Sequence, residues 1–113
     1  MSKFEINGVE LEYDAFDMDT VEKFTEAKQE VADQIAALAD TKDIVVMGRA
    51  QCKAVKGFFD TVFGVGMGEK VCGKRDNLRT CAEAYGAMLR EDQRQGQEFQ
   101  KNTSLTDLIG ETK

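Results

Sequence analysis

Three cysteines, two tyrosines, a glycine-rich loop and many carboxylates are the residues of this chain with chemistry to offer. A cysteine acts as a nucleophile only as its thiolate, which needs a base or a cationic neighbourhood. The chain has no histidine, so the usual general base near neutral pH and the usual zinc ligand are both missing. Cys52 has no activating feature nearby in sequence. Together with Cys81 it falls at an apolar helix position, where a buried reduced thiol is the common outcome. Cys72 is the third cysteine; no CxxC spacing occurs, and a metal site would need ligands the sequence does not offer. No metal and no cofactor are therefore expected.

The loop Gly64-Val65-Gly66-Met67-Gly68-Glu69-Lys70 invites a phosphate-binding reading, which its spacing rejects. A P-loop requires GxxxxGK followed by Ser or Thr, and here Glu69 separates Gly68 from Lys70. The dinucleotide fingerprint GxGxxG fails at Glu69, and no strand precedes the loop. The expectation is that Gly64 ends a helix and the other glycines form a flexible bend. Paired carboxylates occur only as neighbours on a charged face, such as Glu10 with Glu12. No EF-hand or HExxH spacing is present. Tyr13 and Tyr85 read as amphipathic core residues. The chemistry available points away from an enzyme.

The elements that would position these residues are legible from periodicity. Ile44 to Phe63 is the most apolar continuous segment. Ile44, Gly48, Cys52, Val55, Phe59 and Val62 recur at helical spacing, widened by Val45, Phe58 and Phe63. A central helix is expected there, capped by Asp43, with Gly57 marking a close contact or a kink. Residues 3–13 read as a hairpin turning at Asn7-Gly8, because both positions tolerate positive φ. That register pairs Ile6 with Val9, Phe4 with Leu11 and Ser2 with Tyr13, placing the apolar residues on one face. A lone two-stranded hairpin is marginal in water, so this face must lie on the chain's own helices or on another subunit.

Asp19, with Glu22 three residues on, reads as the capping box of a first helix running to Ala39. Its stripe of Val21, Phe24, Val31, Ile35 and Leu38 serves either a bundle core or an intermolecular helix pair. The short polar link Asp40–Asp43 makes the first two helices antiparallel neighbours. Glu69 to Val71 forms one short turn. A third long helix, capped by Asp76 or Asn77, carries Leu78, Cys81, Ala82, Tyr85 and Leu89 and ends near Gln95, before Gly96. The expected architecture is mainly α (α+β): an N-terminal β-hairpin packed on a bundle of about three helices. Residues 1–95 form one domain and 96–113 a weakly ordered polar tail. Within that tail Ser104 and Asp107 have capping spacing, and Leu105, Leu108 and Ile109 share one face.

Composition narrows the class of partner. The net charge is −6, but residues 1–43 carry −8 and residues 44–113 carry +2. The acidic front is either a solvated face or a surface for a basic partner or a second copy. No basic patch with interleaved aromatics exists, so nucleic acid is not an expected partner. MSKFEING does not read as a signal peptide, and no apolar run approaches a membrane span. A reducing cytoplasm is the expected compartment.

The opening INGVELEYDAFD, a capped helix, FFDTVFG with its glycine-rich continuation, and NL before a third helix resemble small proteins of prophages and tailed phages of Gram-positive bacteria. These are encoded near the tail-tube and tape-measure genes and regarded as tail assembly chaperones. The resemblance spans roughly residues 5–90, and its motifs are structural. It implies a non-enzymatic morphogenesis factor, in the cytoplasm of the bacterial host, that keeps the tape-measure protein soluble while tail-tube protein assembles around it. It also implies a longer product made by frameshifting near the 3′ end of the gene. Two other readings remain: a minor tail or head–tail subunit that forms homo-oligomers, and a small acidic regulator that binds a host protein. The resemblance carries over no functional motif. The residues themselves nominate Phe4, Leu11 and Tyr13 on the hairpin, and Leu105, Leu108 and Ile109 in the tail, as protein-binding positions.

Overall fold

Asn7 and Gly8 have φ of 52° and 80°, the left-handed backbone that a tight two-residue hairpin turn demands at both central positions. They join β1 (Ser2–Ile6) to β2 (Val9–Tyr13) in the register Ser2 with Tyr13, Phe4 with Leu11 and Ile6 with Val9. The computed structural model describes residues 2–102. Within them the hairpin is followed by α1 (Met18–Ala36), α2 (Ile44–Phe63), α3 (Met67–Cys72) and α4 (Leu78–Asn102). The chain is mainly helical with an N-terminal hairpin, as its sequence predicts.

The hairpin packs on its own helices. Ile6, Leu11 and Tyr13 are buried in one cluster with Phe24, Phe58, Phe59, Val71 and Met88. The Asn7 side chain donates to the Val71 carbonyl at 2.8 Å, which ties the turn to α3. Aromatic edges knit the middle of the core: Phe24 to Phe58 at 5.7 Å, Phe58 to Phe59 at 5.3 Å and Phe58 to Tyr85 at 5.0 Å. Burying each such ring stabilises the fold by roughly 1.5–3 kcal/mol. Phe24 meets Phe58, while Gln34 lies with Ala50 and Lys53 along one cleft. The two helices therefore run antiparallel, as their short link requires.

Several boundaries differ from the sequence reading. Asp17, not Asp19, caps α1: its carboxylate accepts from the Thr20 amide at 3.2 Å and the Thr20 hydroxyl at 2.7 Å. The Asp19–Glu22 capping box does not form, because Asp19 already lies within the first turn. That helix stops at Ala36 rather than Ala39. Leu38 and Ala39 instead donate to the carbonyls of Ile35 and Ala36, three residues back. Asp43 caps α2 as expected, accepting from the amides of Val45 and Val46 at 2.9 and 3.2 Å.

Gly57 is not a close contact: a methyl group there would meet open space. Gly68 is the close contact, since a Cβ on it would collide with the Lys56 backbone carbonyl. The glycine-rich segment is thereby a fixed corner rather than a flexible bend. Asp60 holds it from below, accepting from the amides of Gly66 at 3.1 Å and Gly68 at 2.8 Å.

The largest departure concerns α4. Cys81, Ala84, Met88 and Gln95 form its buried stripe, and the helix continues through Gly96 to Asn102. Arg94 braces the turn around Gly96, bonding Glu91 and Glu98 at 2.7 Å each. Phe99 stacks on Phe16 with centroids 4.4 Å apart. These contacts offset the roughly 1 kcal/mol that glycine costs a helix. The expected boundary between Gln95 and Gly96 therefore falls inside a helix.

Candidate functional site

The structural use of Asp43 has a surface consequence. With the cap at Asp43, α2 begins on Ile44, Val45 and Val46, three consecutive apolar residues. Successive helical residues are about 100° apart, so no single neighbour can cover all three. Ile44 is 82 % exposed, Val45 57 % and Val46 52 %. Ile35, in the last turn of α1, is 42 % exposed at the same end.

The reason these residues stay bare lies in where α4 begins. Cys81, in its first turn, lies within hydrogen-bonding reach of Cys52. The loop preceding α4 is pinned farther along α2 by Lys56. Its ammonium donates to the Arg75 carbonyl at 3.2 Å and the Asp76 carboxylate at 3.1 Å, and Arg49 reaches the same carboxylate at 3.1 Å. From Ile44 to Cys52 is about 12 Å of helix at 1.5 Å per residue. Over that length Arg49 reaches across to Asp76, while the apolar side chains of the first turn of α2 stay exposed. The result is a two-helix tip with an apolar crown.

Below the crown, a shallow cleft of about 570 Å³ includes Gln34, Arg49, Lys53, Lys56 and Asp76 in its lining. The hydrogen bonds from Lys56, then from Arg49, hold the Asp76 carboxyl below its usual range. Burial opposes the charge on Lys56, but the Asp76 bond and charge prevail and its pKa is raised. Two of the three cations are thus committed to anchoring the α3–α4 loop.

The protein-binding positions nominated on the hairpin need correction. Leu11 and Tyr13 are 3 % and 2 % exposed. They are core residues of this chain, because the apolar hairpin face is covered in cis. Phe4 is half-buried, edge-on to Phe63 at 6.4 Å. Leu105, Leu108 and Ile109 lie outside the described residues. The tip was missed because Ile44 and Val45 fit the apolar stripe of the central helix. The available signal was adjacency: three apolar residues in a row after a cap cannot all face one core.

The tyrosine and cysteines serve the interior. Tyr13 donates its hydroxyl to Asp92 at 2.7 Å. Burial first, and then this bond to a carboxylate, push its pKa up. Burial, reinforced by Cys81, pushes the Cys52 thiol up to about 11. Cys72 and Cys81 are also raised, chiefly by burial, and Cys81 is within hydrogen-bonding reach of both other thiols. Their convergence was not legible from sequence. At neutral pH all three are protonated and shielded, which is the opposite of an activated nucleophile. The amides of Gly66 and Gly68 already donate to Asp60, so that corner offers no phosphate cradle at those positions.

Among the described residues, no group of three His, Cys, Asp or Glu side chains is placed to hold a metal ion. Among the same residues, no helix is long and apolar enough to cross a membrane. No curated protein and no solved structure matches the chain. A family model, described as a family of unknown function (DUF6673), matches residues 7–107. That is most of the chain, the hairpin turn and all four helices included, and the protein belongs to this family.

Proposed function

We propose that this protein is a non-enzymatic tail assembly chaperone of a phage or prophage, acting in the bacterial cytoplasm, and that its client is the tape-measure protein. The observation that carries the binding part of this reading is the crown of Ile35, Ile44, Val45 and Val46 on the α1–α2 tip. An exposed cluster of β-branched residues at a helix end suits the apolar stripe of an amphipathic client helix. The acidic α1 face next to it would keep such a complex soluble. Three free, buried cysteines fit a reducing compartment. The identity of the client rests on the resemblance of residues 5–90 to phage tail assembly proteins.

The test is co-expression with a tape-measure protein of the same phage or prophage, followed by affinity capture and light scattering. A soluble complex is expected where the tape-measure protein alone is insoluble. The double variant Ile44→Asp, Val46→Asp should lose the complex while keeping its helical circular dichroism. Failure to recover any complex, with a discrete ring of this chain alone, would favour a structural tail subunit. Capture undiminished by the double variant would remove the tip from the reading.

A further inference from the structure

The molecule measures 59 × 31 × 21 Å along its principal axes, and its two ends differ. The α1–α2 tip with its apolar crown forms one end. The C-terminus of α4 lies toward the other, because α4 runs alongside α2 in the same direction. Cys81 neighbours Cys52, Tyr85 packs on Phe58, and Asp92 bonds Tyr13, whose ring in turn lies 6.5 Å from that of Phe63. From Phe58 back to Ile44 is about 21 Å of helix, and from Tyr85 on to Asn102 about 25 Å in the opposite sense. Ile44 and Asn102 are therefore roughly 45 Å apart along the bundle.

The chain continues beyond Asn102 with Leu105, Leu108 and Ile109, an apolar triplet at helical spacing. Fully extended, the seven residues from 103 to 109 span at most about 25 Å. The triplet cannot reach the crown of its own molecule. In a second copy lying antiparallel, the crown sits beside the first copy's α4 terminus, and the relation is reciprocal. Both crowns can then be covered at once, which closes the assembly as a two-fold pair, the commonest symmetry of soluble oligomers.

We propose that Leu105, Leu108 and Ile109 of one copy cover the Ile35, Ile44, Val45 and Val46 crown of a second, antiparallel copy. This holds whatever the client is. If the crown is also the client site, the partner's tail occupies it until the client displaces it.

Sedimentation equilibrium of the full chain, without client, tests the proposal. The unaltered protein should be a concentration-dependent dimer. Ile44→Asp, Val46→Asp should be a monomer, and so should Leu105→Asp, Leu108→Asp, each with unchanged helical circular dichroism. An equimolar mixture of the two double variants should regain a dimer, weaker than the original, because one tail and one crown remain intact in the mixed pair. A monomeric parent chain, a tail variant that still dimerises, or a mixture without recovery would each overturn the proposal. The outcome is separable from the chaperone reading: the tail variant should still bind the client, and more readily than the unaltered chain.

Discussion

Replacing Gln95 by methionine isolates the clamp by which α4 holds the hairpin exit. The Gln95 side chain is 7 % exposed. Its amide nitrogen donates to the Tyr13 carbonyl at 3.1 Å and to Glu91 at 2.8 Å, and its oxygen accepts from the Ala15 amide at 2.9 Å. Methionine matches glutamine in length and helix propensity, so neither a large cavity nor a weakened helix confounds the result. It leaves the Ala15 amide without its partner and takes from the Tyr13 carbonyl the second of its two bonds, the other being the ladder bond opposite Ser2. An unsatisfied buried backbone group costs about 1–3 kcal/mol, and the partly buried Ala15 amide belongs at the low end. Glu91 loses little, because Arg94 still pairs with it at 2.7 Å. The expected destabilisation is about 1–2 kcal/mol, or roughly 4–8 °C in melting temperature for a chain of this size. Urea denaturation followed by circular dichroism measures it, with the exposed neighbour Gln97→Met as a control that should stay within about 0.5 kcal/mol. A Gln95→Met protein as stable as its parent would refute the reasoning. The hairpin exit would then not depend on the second half of α4.

Three further outcomes are expected. Gly57→Ala should stabilise the protein by about 0.5–1 kcal/mol, since the position is in a helix interior with open space beside it. Gly68→Ala should cost more than about 2 kcal/mol, because the new methyl meets the Lys56 backbone; thermal melts of the two variants should move in opposite directions. Stability should fall as pH rises above about 9, because the unfolded chain ionises its cysteine and tyrosine at their ordinary values of about 8.5 and 10. The folded chain resists ionisation at Cys52, pushed up to about 11, and at Tyr13, also raised. Urea midpoints across the alkaline range measure this, and Tyr13→Phe should flatten the part of the decline above about pH 10. An alkaline-independent midpoint would mean that neither group is shielded by the fold.

How much of this was legible depended on distance along the chain. Asn7-Gly8 sets its own turn, and the two-residue period of the strands then dictates the register, so the hairpin could be read pair by pair. Asp43 and Gly64 bound α2 through contacts within a few residues. The site was less legible. The hairpin residues Leu11 and Tyr13 are apolar enough for an interface or a core, and nothing local distinguishes the two. Ile44 and Val45 fit a core stripe on periodicity, yet the stripe continues past the point where another element covers it. Gly57 and Gly68 look alike in sequence and differ only in what stands opposite them.

The far half of α4 shows the same division most sharply. Arg90 to Asn102 is rich in charge and contains Gly96, a composition that reads as a helix giving way to a tail. Its polar residues are instead the partners of Tyr13 and Ala15, some eighty positions earlier in the chain. Local propensity and periodicity determined the strands, the turn and the caps, because the groups that satisfy them are adjacent in sequence. Only the tertiary structure decided which apolar faces are covered, which glycine is crowded and where the last helix ends. Those outcomes depend on the arrival of residues from the opposite end of the chain, and burial and pairing free energies there outweigh the local preferences.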